Sequence, residues 1–238
     1  EVALAERLVE LHPWADMARF ARTGGEANAI AIRIARAASG RDNVAICGCH
    51  GWHDWYLATN LGDSGQLDEH LLPGLDPTGV PSTLSGSTFP FQYNDFDGLA
   101  KLAADQNIGV IQMEVMRTHP PTDSFLQKVR DLATDRGIVL IFYECTSGFR
   151  QNFGGLHLEF DVAPDMAVYG KALGNGYAVT AVLGRRDVMQ AAQSTFISST
   201  FWTERIGSVA ALATLDVMEA ENPWGQILAT GHGITKRW

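Results

Sequence analysis

Lys171 is the residue of this chain whose setting best suits covalent chemistry. It follows an apolar run at 166–169, which reads as a short buried strand, and it enters a segment broken by Gly170, Gly174 and Gly176. A lysine at a strand end is most often a hydrated surface group. A Schiff-base lysine needs a rigid strand behind it, open backbone around it and a partly desolvated amine that can lose its proton. Lys171 alone leaves both readings open. What separates them is whether the chain also supplies a phosphate cradle, ring-stacking groups and a partner for a pyridine nitrogen.

Three other stretches carry reactive or binding residue types. Arg22-Thr23-Gly24-Gly25-Glu26 lies between a short strand at 15–21 and an alanine- and isoleucine-rich helix at 27–38. Strand, glycine turn and helix start outline an anion site, because helix-start N–H groups, the positive dipole end and glycine's small size suit a phosphate. A plain glycine turn before a helix fits the same residues. After a strand at 43–48 comes Cys49-His50-Gly51-Trp52-His53-Asp54-Trp55-Tyr56, a density of histidine and aromatic residues that marks a site, although core packing also accounts for the tryptophans. Glu114 closes a strand at 108–113, either to orient a pocket group or to form a structural ion pair. Tyr143-Glu144-Cys145 opens the segment after the most strand-like run, 138–142.

The elements that must position these residues alternate. Apolar spacing predicts a helix over 2–11, ended by His12-Pro13; Asn94-Asp95 cap another that runs to about 105; a third covers 125–136 with Gly137 as its stop. Strands at 178–184 and 196–200 and a helix over 208–219 follow, the last running on toward Trp224 and Trp238. Residues 61–92, rich in Gly, Ser, Pro and Thr, read as a long loop with room for one hairpin. Alternating strands and helices with short connections predict one α/β domain over 1–238, a three-layer sandwich on a mostly parallel seven-stranded sheet. Ligands of such sheets gather at the carboxyl ends of the strands, where Thr23, Cys49, Glu114, Tyr143 and Lys171 all fall.

Composition narrows the function classes. With 27 acidic against 18 basic residues the formal charge is −9, which argues against non-specific nucleic-acid binding. No apolar run has the length of a membrane span, so no membrane partner is expected. Three cysteines in 238 residues do not make a disulfide framework and favour a reducing, cytoplasmic setting. Cys47 and Cys49 form C-x-C with no second ligand pair, so no metal site is expected. Gly24-Gly25 is neither G-x-G-x-x-G nor a Walker loop, which weakens a nucleotide-binding reading.

Taken in order, Thr23-Gly24-Gly25-Glu26-Ala27, His50-Gly51-Trp52-His53-Asp54, Glu114, the 144–150 segment, Gly170-Lys171-Ala172-Leu173-Gly174-Asn175-Gly176 and Ser198-Ser199-Thr200 resemble the class III aminotransferases of the fold-type I pyridoxal-phosphate (PLP) enzymes, which include glutamate-1-semialdehyde aminomutase. The resemblance implies PLP as cofactor, with its phosphate at Thr23, Gly24 and Gly25 and its covalent link at Lys171. It also implies contacts from His50 and Glu114, and a homodimer in which Thr200 reaches the neighbouring subunit's phosphate. The implied activity is amino transfer between an amino donor and a keto or aldehyde acceptor, with a sugar-pathway substrate favoured, or a 2,1-aminomutase reaction.

Three departures qualify the implication. Tyr143 takes the position of the family's aspartate under the pyridine nitrogen, and a neutral phenol offers at most a hydrogen bond there, so transamination should weaken severely. Cys49 takes the place of a stacking tyrosine, and Cys145 that of an apolar residue covering the opposite ring face. The family's N-terminal segment and small C-terminal domain have no counterpart in 1–238. A catalytically impaired relative or fragment, acting through binding or subunit pairing, is the alternative reading.

Overall fold

The computed structural model describes residues 1–63, 65–70, 72–116 and 118–237; Trp238, where the predicted last helix ended, lies outside the described residues. In chain order the elements are α1 (Val2–Leu11), β1 (Met17–Ala21), α2 (Gly24–Ser39), β2 (Asn43–Cys47), the single turn α3 (Asp54–Leu57), β3 (Thr88–Pro90), α4 (Phe96–Asp105), β4 (Ile108–Met113), α5 (Phe125–Asp135), β5 (Val139–Tyr143), β6 (Met166–Tyr169), β7 (Thr180–Gly184), the single turn α6 (Arg186–Met189), α7 (Ile206–Glu221) and α8 (Trp224–Thr235).

The seven strands form one sheet in the order β1-β7-β6-β5-β4-β2-β3. Only β7 runs against the rest, pairing antiparallel with both β1 and β6. The carboxyl ends of β1, β2, β4, β5 and β6 therefore share one edge with the amino end of β7. Strands β4 to β7 are buried at every position, as their continuous apolar runs require of a sheet covered on both faces.

Helices cover both faces. On one, the Ala27, Ala31 and Ala35 positions of α2 bring it close to Val110, Ile141, Val168 and Val182, while Ile30, Ile32 and Ile34 are buried alongside. Each such isoleucine contributes about 1.5–3 kcal/mol by leaving water. On the other face α4 and α5 pack through Leu99, Phe125, Leu126 and Val129 against Ile111, Leu140 and Phe142. There too α1 and α7 pack through Leu4, Leu8, Ala211 and Leu215 against Ala167, Ala181 and Leu183.

Two strand expectations are corrected. Residues 196–200 are not a strand: they pair with no strand of the sheet, Phe196 is 82% exposed, and only Ile197 packs against the core. The seventh strand is β3, inside the segment read as a loop, and it pairs in parallel with β2 rather than in a hairpin. Three residues are too few to show a period, and Pro90 is tolerated because β3 is an edge strand. The last helix also divides. Asn222 adopts a left-handed conformation before Pro223, which ends α7 and starts α8 as a separate element.

Candidate active site

The edge shared by five strand ends is built around the start of α2. Thr23, in extended conformation, caps that helix: its Oγ1 accepts from the Glu26 N–H at 3.2 Å, and the Glu26 carboxylate accepts from the Arg22 N–H at 2.8 Å. The first-turn N–H groups of this 16-residue helix have no intrahelical partners, and the dipole adds positive potential. Glycine lets other groups come close to this helix start. A Cβ at Gly24 would stand 3.0 Å from Tyr143 Oη and 3.8 Å from Cys145 Sγ, and one at Gly25 would collide with the His53 ring. His53 Nδ1 is buried here with no hydrogen-bond partner among the described residues. This orphaned polar atom beside a glycine-lined helix start suits an anionic oxygen.

Lys171 follows β6. Gly170 passes so close to Cys145 and Thr180 that a Cβ would stand 3.1 Å from Sγ and 3.0 Å from Cγ2. Lys171 itself adopts φ +44°, a left-handed conformation that costs an L-residue about 1–2 kcal/mol. Its Nζ donates to Thr146 Oγ1 at 3.1 Å. The side chain is exposed, not desolvated as the Schiff-base reading asked.

Tyr143, at the end of β5, points to the α2 face and is 7% exposed. Its hydroxyl reaches Gly24 and lies beside the Cys145 thiol. Burial raises the phenol well above its ordinary pKa, with Cys145, Cys49 and Glu114 adding to the effect. The hydroxyl is therefore neutral. Burial likewise pushes the Cys145 thiol up to about 11, opposed by the Tyr143 hydroxyl and by Lys171. His50 is fully buried behind Tyr143, with ring centroids 5.1 Å apart edge to face, and Asn28 Nδ2 donates to its carbonyl at 2.9 Å.

Glu114, after β4, accepts from the Cys49 N–H at 3.2 Å, which ties the end of β2 to that of β4. An open cleft of about 530 Å³ begins here, lined by Glu114, Met116, Thr118, Tyr143, Thr146 and Arg150 among others. Thr23, Gly24, Gly25, Tyr143, Cys145 and Lys171 thus meet, His50 buttresses them, and Cys49 with Glu114 borders them. Thr200 lies elsewhere, exposed in the stretch that Arg19 and Arg22 hold through Trp202, Phe201 and Glu204.

The aromatic loop divides, with His53 alone turned to the helix start. Trp55 and Tyr56 join the core, Tyr56 donating to the Gly48 carbonyl at 3.0 Å, while Trp52 is exposed. Two residues that the sequence reading gave no role of their own, His53 and Thr146, prove to touch the helix start and the lysine. Their only signal was membership of the quoted motifs.

Behind Tyr143, Glu144 is fully buried. One carboxylate oxygen accepts from the His157 N–H at 3.1 Å and ring Nδ1 at 2.5 Å; the other accepts from the Leu156 N–H at 2.5 Å and Ser147 Oγ at 2.8 Å. The His157 ring is held from its other nitrogen by Trp14 Nε1 at 2.7 Å. This carboxylate fixes the segment that carries Cys145 and Thr146.

Residues 100–237 match the family described as aminotransferase class-III. The chain is similar to a 3-aminobutyryl-CoA aminotransferase of Cloacimonas acidaminovorans, 35% identical over 96% of this chain and 53% of that protein. It is also similar to a glutamate-1-semialdehyde 2,1-aminomutase of Citrifermentans bemidjiense, 37% identical over 79% of this chain and 45% of the relative. Among solved structures it resembles the FumI protein of Sphingopyxis sp. MTA144 in its PLP internal aldimine form, with TM-score 0.82, 25% identity, and coverage of 99% of this chain and 55% of that one. An omega-transaminase from Sphaerobacter thermophilus gives TM-score 0.79 at 29% identity, covering 91% of this chain and 53% of its own. The chain spans about half the length of the relatives it matches.

These matches indicate PLP as the cofactor. The residues fit that group at its two ends, where the α2 start with His53 Nδ1 suits the phosphate and Lys171 suits the aldehyde. Between the ends stands the Tyr143 phenol. A seven-stranded sheet in this order, a lysine after β6 and a family match over more than half of the chain lead to one conclusion: the chain belongs to the class-III aminotransferases.

Proposed function

We propose that this chain forms the cofactor-holding part of a PLP-dependent enzyme that moves an amino group between an amino donor and a keto or aldehyde acceptor. The observation that carries the reading is Lys171, set by a strained backbone at the strand edge that also presents the start of α2. When bound, PLP supplies an electrophilic carbonyl and an electron-withdrawing ring. The chain's residues do the rest. Gly24, Gly25 and His53 would hold the phosphate. Lys171 would carry the covalent link, and its amine, when free, would take a proton from the substrate carbon and return one. Thr146 would hold Nζ in place between these roles, and Cys49 and Cys145 would border the ring.

The acceptor class this reading favours is a sugar-pathway carbonyl. Similarity to a 2'-deamino-2'-hydroxyneamine transaminase of Streptomyces kanamyceticus, 31% identical over 98% of this chain, supports it. A second copy of the chain completes the site in this proposal; the exposure of Thr200 supports that, and sedimentation of the PLP-loaded protein tests it.

One observation favours a second reading, an impaired enzyme. Tyr143 brings no negative charge to the ring nitrogen, so the electron sink that transamination needs is weakened. Single-turnover conversion of the PLP-loaded protein by a panel of amino donors separates the two. Turnover that Lys171→Ala abolishes supports amino transfer. Turnover that appears only in Tyr143→Asp supports impairment, and no conversion in either protein would contradict amino transfer by this chain.

A further inference from the structure

We propose that the Tyr143 side chain occupies the middle of the cofactor site, so that PLP enters only when the phenol swings aside, and that Tyr143 thereby sets how tightly this chain holds its cofactor. The inference rests on the reading above, in which the start of α2 and Lys171 hold the two ends of the group. A molecule with its phosphate at Gly24 and Gly25 and its carbonyl at Lys171 would pass the residues that follow β5, since Cys145 Sγ stands beside both Gly24 and Gly170. Tyr143 is the last residue of β5, immediately before them.

The phenol already bridges the gap. Its hydroxyl reaches to within 3.0 Å of the point where a Gly24 Cβ would stand, and the Cys145 thiol lies 3.8 Å from the same point. Cys145 Sγ in turn lies 3.1 Å from the corresponding point at Gly170, the residue before Lys171. Phosphate cradle, phenol, thiol and lysine segment thus stand side by side. The His50 ring closes the back, edge to face at 5.1 Å. At 7% exposure Tyr143 is packed in place, and a shorter side chain from the same strand end would stop well before Gly24.

The structure also offers the phenol somewhere to go. Tyr143 lines the open cleft between the β4 and β5 ends, beside Glu114, Met116, Thr118 and Arg150, and rotation into that cleft would vacate the space in front of Gly24. Moving there gives up the His50 contact and the packing beside Cys145 and exposes part of the ring. The open arrangement is therefore the minor one, and the apparent PLP affinity is reduced by its population.

The test is PLP titration of the dialysed full chain, followed by absorbance, with the label fixed by borohydride and located by peptide mapping. The comparison sets the parent beside Tyr143→Val, which suits a strand end, and Tyr143→Asp. The expected result is a Kd lower by about tenfold or more in both variants, because both remove the obstruction. A gain in Tyr143→Asp alone would assign the effect to charge and overturn the proposal, as would a Tyr143→Val affinity equal to the parent's. Tyr143→Asn, short and neutral, replaces the valine variant if that one does not fold. Label on Lys171 in the parent at unchanged affinity would sink this proposal and leave the cofactor reading standing. Absence of label on Lys171 in every protein would sink both.

Discussion

Replacing Glu144 by glutamine changes one oxygen to an amide and leaves side-chain volume nearly constant, so its effect isolates the buried carboxylate. Four donors converge on that carboxylate, two on each oxygen. In glutamine one oxygen still accepts two of them. The amide nitrogen must then face either the Leu156 N–H and the Ser147 hydroxyl or the two His157 donors. The hydroxyl can rotate to accept, which leaves the Leu156 N–H without a partner, at about 1–3 kcal/mol. The two bonds that lose their ionic character weaken by about half, adding about 1–2 kcal/mol. Glu144→Gln should therefore cost about 2–5 kcal/mol, lowering Tm by about 5–15 °C in a chain of this size. Urea and thermal unfolding of parent and variant measure it. Ser147→Ala, which removes one donor and leaves three, should cost about 1 kcal/mol. A Glu144→Gln loss below about 1 kcal/mol would refute the reasoning, since it would mean that the donors are satisfied without the charge.

Other predictions concern pH and the helix start. Burial pushes the His12 imidazole down to about 4; the Leu8 carbonyl and Glu144 pull it up and His157 pushes it down further. The unfolded chain thus takes up this proton first as pH falls. Stability should be full above about pH 6.5 and decline toward pH 4 by about 3 kcal/mol, a slope that His12→Gln removes and that urea unfolding across this range records. Thr23→Ala removes the cap of α2 and should cost about 1 kcal/mol in the same assay, with weaker PLP retention because the first turn frays.

The sheet was legible wherever burial on both faces forces continuous apolar runs. The runs at 108–113, 138–142 and 166–169 are β4, β5 and β6 to within a residue. β3 was not legible, because three residues at a sheet edge carry no pattern, and 196–200 misled because a short β-prone run says nothing about what covers it. The site was legible to the level of backbone position. Thr23, Tyr143 and Lys171 sit at the strand ends the pattern predicts, since a parallel sheet leaves them no other place. Side-chain direction was not legible. Tyr56 turns into the core while Trp52 stays out, His53 covers Gly25, and Thr146 meets Lys171, because loop dihedrals decide each of these.

The central claim is that Lys171 is the residue that holds the cofactor. Borohydride reduction of the PLP-equilibrated chain, followed by peptide mapping, tests it most directly. The account predicts one stoichiometric phosphopyridoxyl label, on the peptide containing Lys171, and none in Lys171→Ala. A label spread over surface lysines such as Lys101, Lys128 and Lys236, or no label at all, would contradict it.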